Sequence, residues 1–372
     1  MIKLEKIILS KFFWPISFVL HLSILITLYF KFGINFSNES DRYISVAREL
    51  NSENLSASLE YLWPYSTYIL FLTFGIKLNL SLYIILFIQY LFCLSGFYFF
   101  YKFILSQEFF SKIYARVCIL LVMICPLIVY WLLTFYTESF FISLIIISTY
   151  LVFKDKTKQN LFFISLVLLL LLFCRPVGVF YVIAFSFILM KSRDFKHAFL
   201  FLWCAFILVF VAVVFFVPLH YRDFTLPILQ GSIICGFPNY PGNILPEGDY
   251  TLIEVYSAFL KQNSFADLFI LFVKKGASFF TLTRPYYSLS HNLINCLHYV
   301  FFLGIFYSCF TFFRRKESNV FNICFLYILM SSLLIVILIY NEWSERFIVP
   351  LFPFFILMSL IAVSKRNRRL GA

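Results

Sequence analysis

Ten apolar runs, at about 12–30, 80–101, 117–135, 139–153, 160–174, 177–190, 198–218, 293–313, 320–340 and 347–363, take up most of this chain of 372 residues. A helix needs roughly 20 residues to cross a bilayer, so 139–153, 160–174 and 177–190 are short for the task. Basic residues decide whether they cross. Lys3/Lys6/Lys11, Lys102/Lys112/Arg116, Lys154/Lys156/Lys158, Lys191/Arg193/Lys196, Arg314/Arg315/Lys316 and Lys365/Arg366/Arg368/Arg369 stand at alternate junctions. If every run crosses, all six clusters fall on one side, which the positive-inside rule makes cytoplasmic. Any other parity sends a cluster outside. Residues 160–191 must then turn back at Arg175–Pro176, and 117–153 at Tyr136–Ser139. The expected fold class is an all-α polytopic membrane protein of about ten transmembrane helices, with N and C termini cytoplasmic. Its expected location is the cell inner (plasma) membrane.

Composition agrees. The chain is 62% apolar and 13% charged, against about 45–50% and 25% for soluble globular proteins. The formal charge of +12 does not call for nucleic acid. Nineteen of the 30 Lys and Arg lie in the six clusters beside five acids, and the other 11 share the far side with 13 acids. The nine cysteines are odd in number, form no CxxC pair and sit mostly in apolar runs, as Cys93, Cys118, Cys125 and Cys204 do. With no His cluster either, neither a disulfide framework nor a metal site is signalled. Residues 1–30 lack a small-residue cleavage site and read as a retained first span.

Two apolar pieces remain, 61–76 and 265–282. Either one crossing alone would invert every later cluster. Both are therefore expected on the outer face as interfacial or re-entrant segments, with Trp63, tyrosines, Lys274 and Lys275 at the headgroup level. The whole of 1–372 then reads as one transmembrane domain. Its first outer loop is 33–79 and its long outer loop 219–291, each with interfacial helices.

The polar residues gather on that outer side. The segment SNESDRYISVAREL (37–50) carries Glu39, Asp41 and Glu49, and its Ile44, Ala47 and Leu50 recur at helical spacing. A short amphipathic helix is predicted, capped by Ser37 or Ser40, and first-turn acids suit a helix N-terminus as well as a site. Glu138 sits where two spans meet with almost no hydrophilic loop. A charge at the bilayer centre costs roughly 2.5–3.5 kcal/mol even on mild scales, so such residues usually face the bundle interior. Arg175 occupies the tip of the next hairpin, and Arg346 opens the last span beside Glu342 and Glu345. Arg222 and Arg284 come from the long loop. Guanidinium forks suit phosphate oxygens, and a nearby carboxylate can serve as a base.

At these residues the chain resembles the GT-C membrane glycosyltransferases that use polyprenyl-phosphate sugars, the superfamily of protein O-mannosyltransferases and the lipid A aminoarabinose transferase. Five pieces in order carry the resemblance: DRYISVA (41–47), WPY (63–65), YTESFF (136–141), RPVGVF (175–180) and ERFIVPLFP (345–353). It covers about 40–190 and 340–363; residues 219–291 have no counterpart. It implies that Asp41 is the first-loop catalytic carboxylate, with Glu39 as the alternative because acid-to-tyrosine spacing varies among members. Glu138 takes the second acidic position. Arg346 lies near the donor phosphate, with Arg175, Arg284 and Arg222 assisting.

The implied activity is an inverting glycosyltransferase. It moves a sugar from polyprenyl phosphate to a glycolipid, envelope polysaccharide or protein on the outer face. No cofactor is implied beyond the lipid-linked donor; a divalent metal is not indicated, nor does the sequence exclude one. The alternatives are an O-antigen-polymerase-like enzyme, which should carry two large Arg-bearing outer loops, and a lipid-linked-sugar flippase or transporter, which should show broken helices in matched halves.

Overall fold

The computed structural model describes residues 8–36, 38–51, 63–107, 111–154, 158–190, 218–219, 225–233, 237–314, 320–339 and 346–370. Arg222, Ser37, Glu342, Glu345 and the apolar run 198–218, save its last residue Pro218, lie outside the described residues. The chain divides into two compact units. The first comprises Met1–Phe185, Tyr299–Ile323 and Val349–Ala372, and the second Ser186–His298 and Cys324–Ile348.

In chain order the helices are α1 (Phe13–Phe32), α2 (Asn38–Asn51), α3 (Ser66–Lys77, led in by a 3-10 turn at Trp63–Tyr65) and α4 (Leu82–Leu105). Then come α5 (Lys112–Met123), α6 (Pro126–Val129, continued by a 3-10 turn at Tyr130–Leu133), α7 (Thr137–Phe153), α8 (Lys158–Leu172) and α9 (Gly178–Met190). After them follow β1 (Pro218–Leu219), α10 (Leu226–Leu229), β2 (Tyr250–Thr251), α11 (Leu252–Gln262), α12 (Phe265–Phe280) and α13 (Leu289–His298). The chain closes with α14 (Leu303–Arg314), α15 (Val320–Leu338) and α16 (Phe352–Leu370). Among the described residues the fold is all-α apart from the two-residue ladder of β1 and β2.

Four helices among the described residues are long and apolar enough to cross a membrane: Phe13–Phe32, Leu82–Leu105, Leu289–Phe310 and Phe321–Leu338. A fifth results if Lys112–Met123 and Pro126–Leu133, bent by 51°, are one broken span. These helices mark a membrane protein. The break has a local cause. Pro126 offers no N–H and its ring would strike the preceding turn. Cys125 before it is pushed to extended backbone (φ −69°, ψ 109°). Of the turn expected at Tyr136–Ser139 only Tyr136 precedes α7, which starts at Thr137, whereas Arg175–Pro176 falls among residues 173–177, between α8 and α9.

In the first unit α7 is buried nearly all round, as a helix apolar on every face must be. Helices α4 and α8 and the 3-10 turn Val349–Leu351 pack on it. Small residues allow the close approaches, as is usual between membrane helices. A Cβ on Gly96 would lie 3.2 Å from the Ser143 Cα, and one on Gly304 only 2.6 Å from the Phe355 carbonyl oxygen. The predicted amphipathic helix is α2. Its Tyr43, Ile44 and Ala47 are buried and the helix packs on α3, while Asp41 and Arg42 face outward. Ser40 lies within the helix, buried, instead of at its start.

The second unit is built on the apolar cluster Ile228, Leu229, Leu252, Val255, Phe259, Leu268 and Leu271. The amphipathic helices α11 and α12 supply most of it. Both begin at capping boxes, Thr251 with Glu254 and Ser264 with Asp267, and these bonds hold both carboxyls below their ordinary range. Of the two lysines expected at the headgroup level, Lys274 is exposed but Lys275 is buried.

Candidate functional site

Glu138 lies in the first turn of α7, and Arg175 in the turn between α8 and α9. They meet as an ion pair, Arg175 Nη1 to Glu138 Oε1, 3.1 Å apart, with side-chain exposures of 3% and 0%. Pro176 holds Arg175 out of helical geometry, and the Gly178 N–H donates to the Arg175 carbonyl (2.8 Å), tightening the turn. A Cβ on Gly178 would sit 2.2 Å from the Leu171 carbonyl oxygen, so only glycine fits this turn. The guanidinium lies over the Phe141 ring, 5.7 Å from its centroid. Such a buried pair pays a desolvation penalty that Coulomb attraction repays only with good geometry, and losing one partner leaves a stranded charge.

Hydrogen bonds fix the surroundings of the pair. Tyr68 of α3 donates its hydroxyl to the Gln89 Oε1 of α4 (2.8 Å). Gln89 Nε2 in turn donates to the Ser139 hydroxyl (2.7 Å) and the Thr134 carbonyl (3.1 Å), on either side of the Tyr136–Glu138 segment. The Thr67 N–H donates to the Phe173 carbonyl (3.0 Å), and its hydroxyl to that of Leu170 (2.8 Å), so α3 is tied to the end of α8 just before Arg175. Tyr43 of α2 is 1% exposed and sets its ring against Tyr65 and Tyr68. Its hydroxyl donates to Glu39 Oε1 (3.2 Å).

The structure thus brings together DRYISVA, WPY, YTESFF and RPVGVF, with Glu138 and Arg175 in direct contact. Asp41 is exposed on α2, while Glu39 is half-buried and already engaged by Tyr43. The VPL of the fifth piece packs on α7. Arg346 and Arg284 belong to the second unit and are both largely buried, at 9% and 3%. Arg284 donates to the Ser278 hydroxyl and carbonyl, each at 3.1 Å. Among the described residues no three His, Cys, Asp or Glu gather as a metal site would require.

Sequence reasoning passed over Gln89, Tyr68 and Ser139. A signal existed for Gln89, a lone amide inside the apolar run LFIQYLF (86–92). Buried amides of this kind need partners. No protein-family model, curated protein or solved structure matches the chain.

Proposed function

We propose that this protein is an inverting, GT-C-like membrane glycosyltransferase acting on a polyprenyl-phosphate sugar at the outer face. The observation that carries the reading is the buried Glu138–Arg175 pair, whose neighbour Ser139 is fixed by Gln89 and, through it, Tyr68, the residue on which α2 packs its Tyr43. Intramembrane ionisable residues are rare and mark substrate paths. Here a carboxylate and a guanidinium are fixed at helix ends, and the helix that carries the exposed Asp41 packs through Tyr43 on Tyr68.

In the proposed reaction the Asp41 carboxylate takes the proton of the acceptor hydroxyl. That oxygen attacks the anomeric carbon from the side opposite the phosphate, the carbon–oxygen bond to phosphate breaks, and polyprenyl phosphate departs with the electron pair. Donors aimed at developing charge are the chief source of such stabilisation. The family resemblance gives that role to Arg346, with Arg284 and Arg222 assisting. Arg175, whose Nη1 faces Glu138, holds that carboxylate and offers only the rest of its fork to phosphate. Ten spans with cytoplasmic termini in the plasma membrane fit this orientation: five long spans, counting the broken one, the shorter helices at 137–153, 161–172, 178–189 and 349–363, and the run 198–218.

The test needs no knowledge of the acceptor. Polyprenyl-phosphate sugars are quantified in membranes of cells carrying wild-type protein, no protein, or Asp41→Asn. Accumulation of one donor, equal in the last two, supports transfer and names the sugar. The break between α5 and α6 favours a second reading, a lipid-linked-sugar flippase, since transporter sites are built at discontinuous helices. An unchanged donor pool with a build-up of lipid-linked oligosaccharide would replace the first reading with it.

A further inference from the structure

The amine of Lys275 takes no part in the chemistry above. It lies on α12, one turn beyond Leu271, on the face shared with Ser278 and Phe279, and only 1% of the residue is exposed. Among the described residues its Nζ has no hydrogen-bond partner. The buried polar groups of the second unit include Lys275, Arg284 and Arg346, and among its described residues no Asp or Glu is buried. One turn along α12 the Ser278 hydroxyl accepts from Arg284 Nη1, so a second cation serves the same helix face. The opposite face of α12 is apolar and outward, with Phe265 74%, Phe269 61% and Val273 56% exposed. An amphipathic helix of this kind lies in the interface plane, its apolar face toward acyl chains.

We infer that the second unit binds an anionic lipid phosphomonoester at Lys275, on the inward face of α12 beside the Arg284–Ser278 contact. An ammonium buried without a partner is expensive, and a matching anion is what removes the cost. Phosphate suits it because several oxygens can accept from its three N–H donors. The lipid source follows from the helix itself: its outward face is apolar and suited to acyl chains, and an outward swing of the flexible lysine stem, which is buried here, would bring the ammonium to a headgroup. Burial pushes the empty-site ammonium down to about 7, so the amine can give up its proton when no anion is bound. This inference deepens the transferase reading, which also assigns Arg284 to a lipid-borne phosphate; the test below reads binding without turnover, so its failure leaves the donor-accumulation test of that reading standing.

The test uses the full chain in phosphatidylcholine nanodiscs, with and without phosphatidic acid, and separately with added inorganic phosphate. The melting temperature is read for wild type, Lys275→Met and Lys275→Arg. Phosphatidic acid is expected to raise the wild-type value by roughly 2–4 °C. The rise should vanish in Lys275→Met and persist in Lys275→Arg. An equal, Lys275-dependent rise with inorganic phosphate would keep the anion site but move its source to free phosphate. No rise in wild type, or the same rise in Lys275→Met, overturns the inference. A second measurement needs no variant: acylation of Lys275 by an amine-reactive reagent, followed by mass spectrometry, should slow severalfold when phosphatidic acid is present. An unchanged rate counts against the site.

Discussion

Glu138 and Arg175 stand at opposite ends of a helical hairpin's worth of chain, yet their side chains meet at 3.1 Å with almost no exposure. The pair joins the N-terminus of α7 to the turn between α8 and α9. It therefore stitches together two of the sequence pieces on which the transferase reading depends.

Breaking the pair on one side strands a buried charge, at a cost of roughly 3–5 kcal/mol. Arg175→Met strands the carboxylate and Glu138→Gln the guanidinium. Each should lower thermal stability in detergent markedly. The double variant should recover most of the loss while leaving donor turnover abolished. Additive destabilisation in that double-mutant cycle would mean the two side chains do not interact in the membrane.

Gln89 holds three groups at once: the Tyr68 hydroxyl, the Ser139 hydroxyl and the Thr134 carbonyl. Gln89→Leu keeps the volume but orphans them, each orphan costing about 1–3 kcal/mol before relaxation. A loss of stability and of turnover is expected, because Ser139 adjoins Glu138. Gln89→Glu retains an acceptor for Tyr68 but loses both donations, and should fall in between. Turnover unchanged in Gln89→Leu would detach this network from the site.

Much of this was legible in the sequence because membrane helices obey strong rules. Apolar length foretold α1, α4 and the run that holds α5 and α6, and the break between α8 and α9 falls at the expected Arg175–Pro176. The amphipathic spacing of Ile44 and Ala47 foretold α2. Partner choice was not legible. Nothing in the spacing of Glu138 and Arg175 says that they touch, since that depends on how α7 and α8 pack. Lys275 was misplaced for a related reason. An amphipathic helix shows which face is apolar, but not that a lysine beside a Leu271–Phe279 face turns inward.

Glycine contacts rank two further substitutions. A methyl at Gly304 would press into backbone, 2.6 Å from the Phe355 oxygen and 2.9 Å from the Ser359 nitrogen. The methyl at Gly96 meets the Ser143 Cα at 3.2 Å, a distance a small helix shift relieves. Gly304→Ala should therefore cost more stability than Gly96→Ala, by at least about 1 kcal/mol on the overpacking scale. Thermal unfolding of both variants checks the order, and equal losses would show that α14 and α16 are free to separate.

The Lys275 amine sets a pH dependence. Its folded-state value lies near 7, against an ordinary 10.5. Between the two the unfolded chain binds the extra proton, so stability rises with pH across that window; below 7 the cost of burying the charge is fully present. Lys275→Met removes the cost. Measured without anionic lipid, its stabilising effect should be largest below pH 7, on the order of a few kcal/mol, and fade as pH approaches 10.5. A pH-independent difference would mean that the ammonium has a partner in the folded protein.

Asp41 and Glu39 compete for the role of base, and their surroundings separate them. Asp41 is exposed, so Asp41→Asn should leave stability within about 0.5 kcal/mol, as surface changes usually do. Glu39 accepts the Tyr43 hydroxyl at 3.2 Å. In Glu39→Gln the amide oxygen can still accept, so Tyr43 keeps its place against Tyr65 and Tyr68. Neither variant should unfold the helix, and a loss of turnover in one alone reports chemistry. Donor accumulation in Asp41→Asn with normal turnover in Glu39→Gln assigns the base to Asp41. The reverse assigns it to Glu39, whose contact with Tyr43 would then orient the carboxylate. Full turnover in both would remove the first outer loop from the chemistry and leave Glu138 as the remaining candidate base.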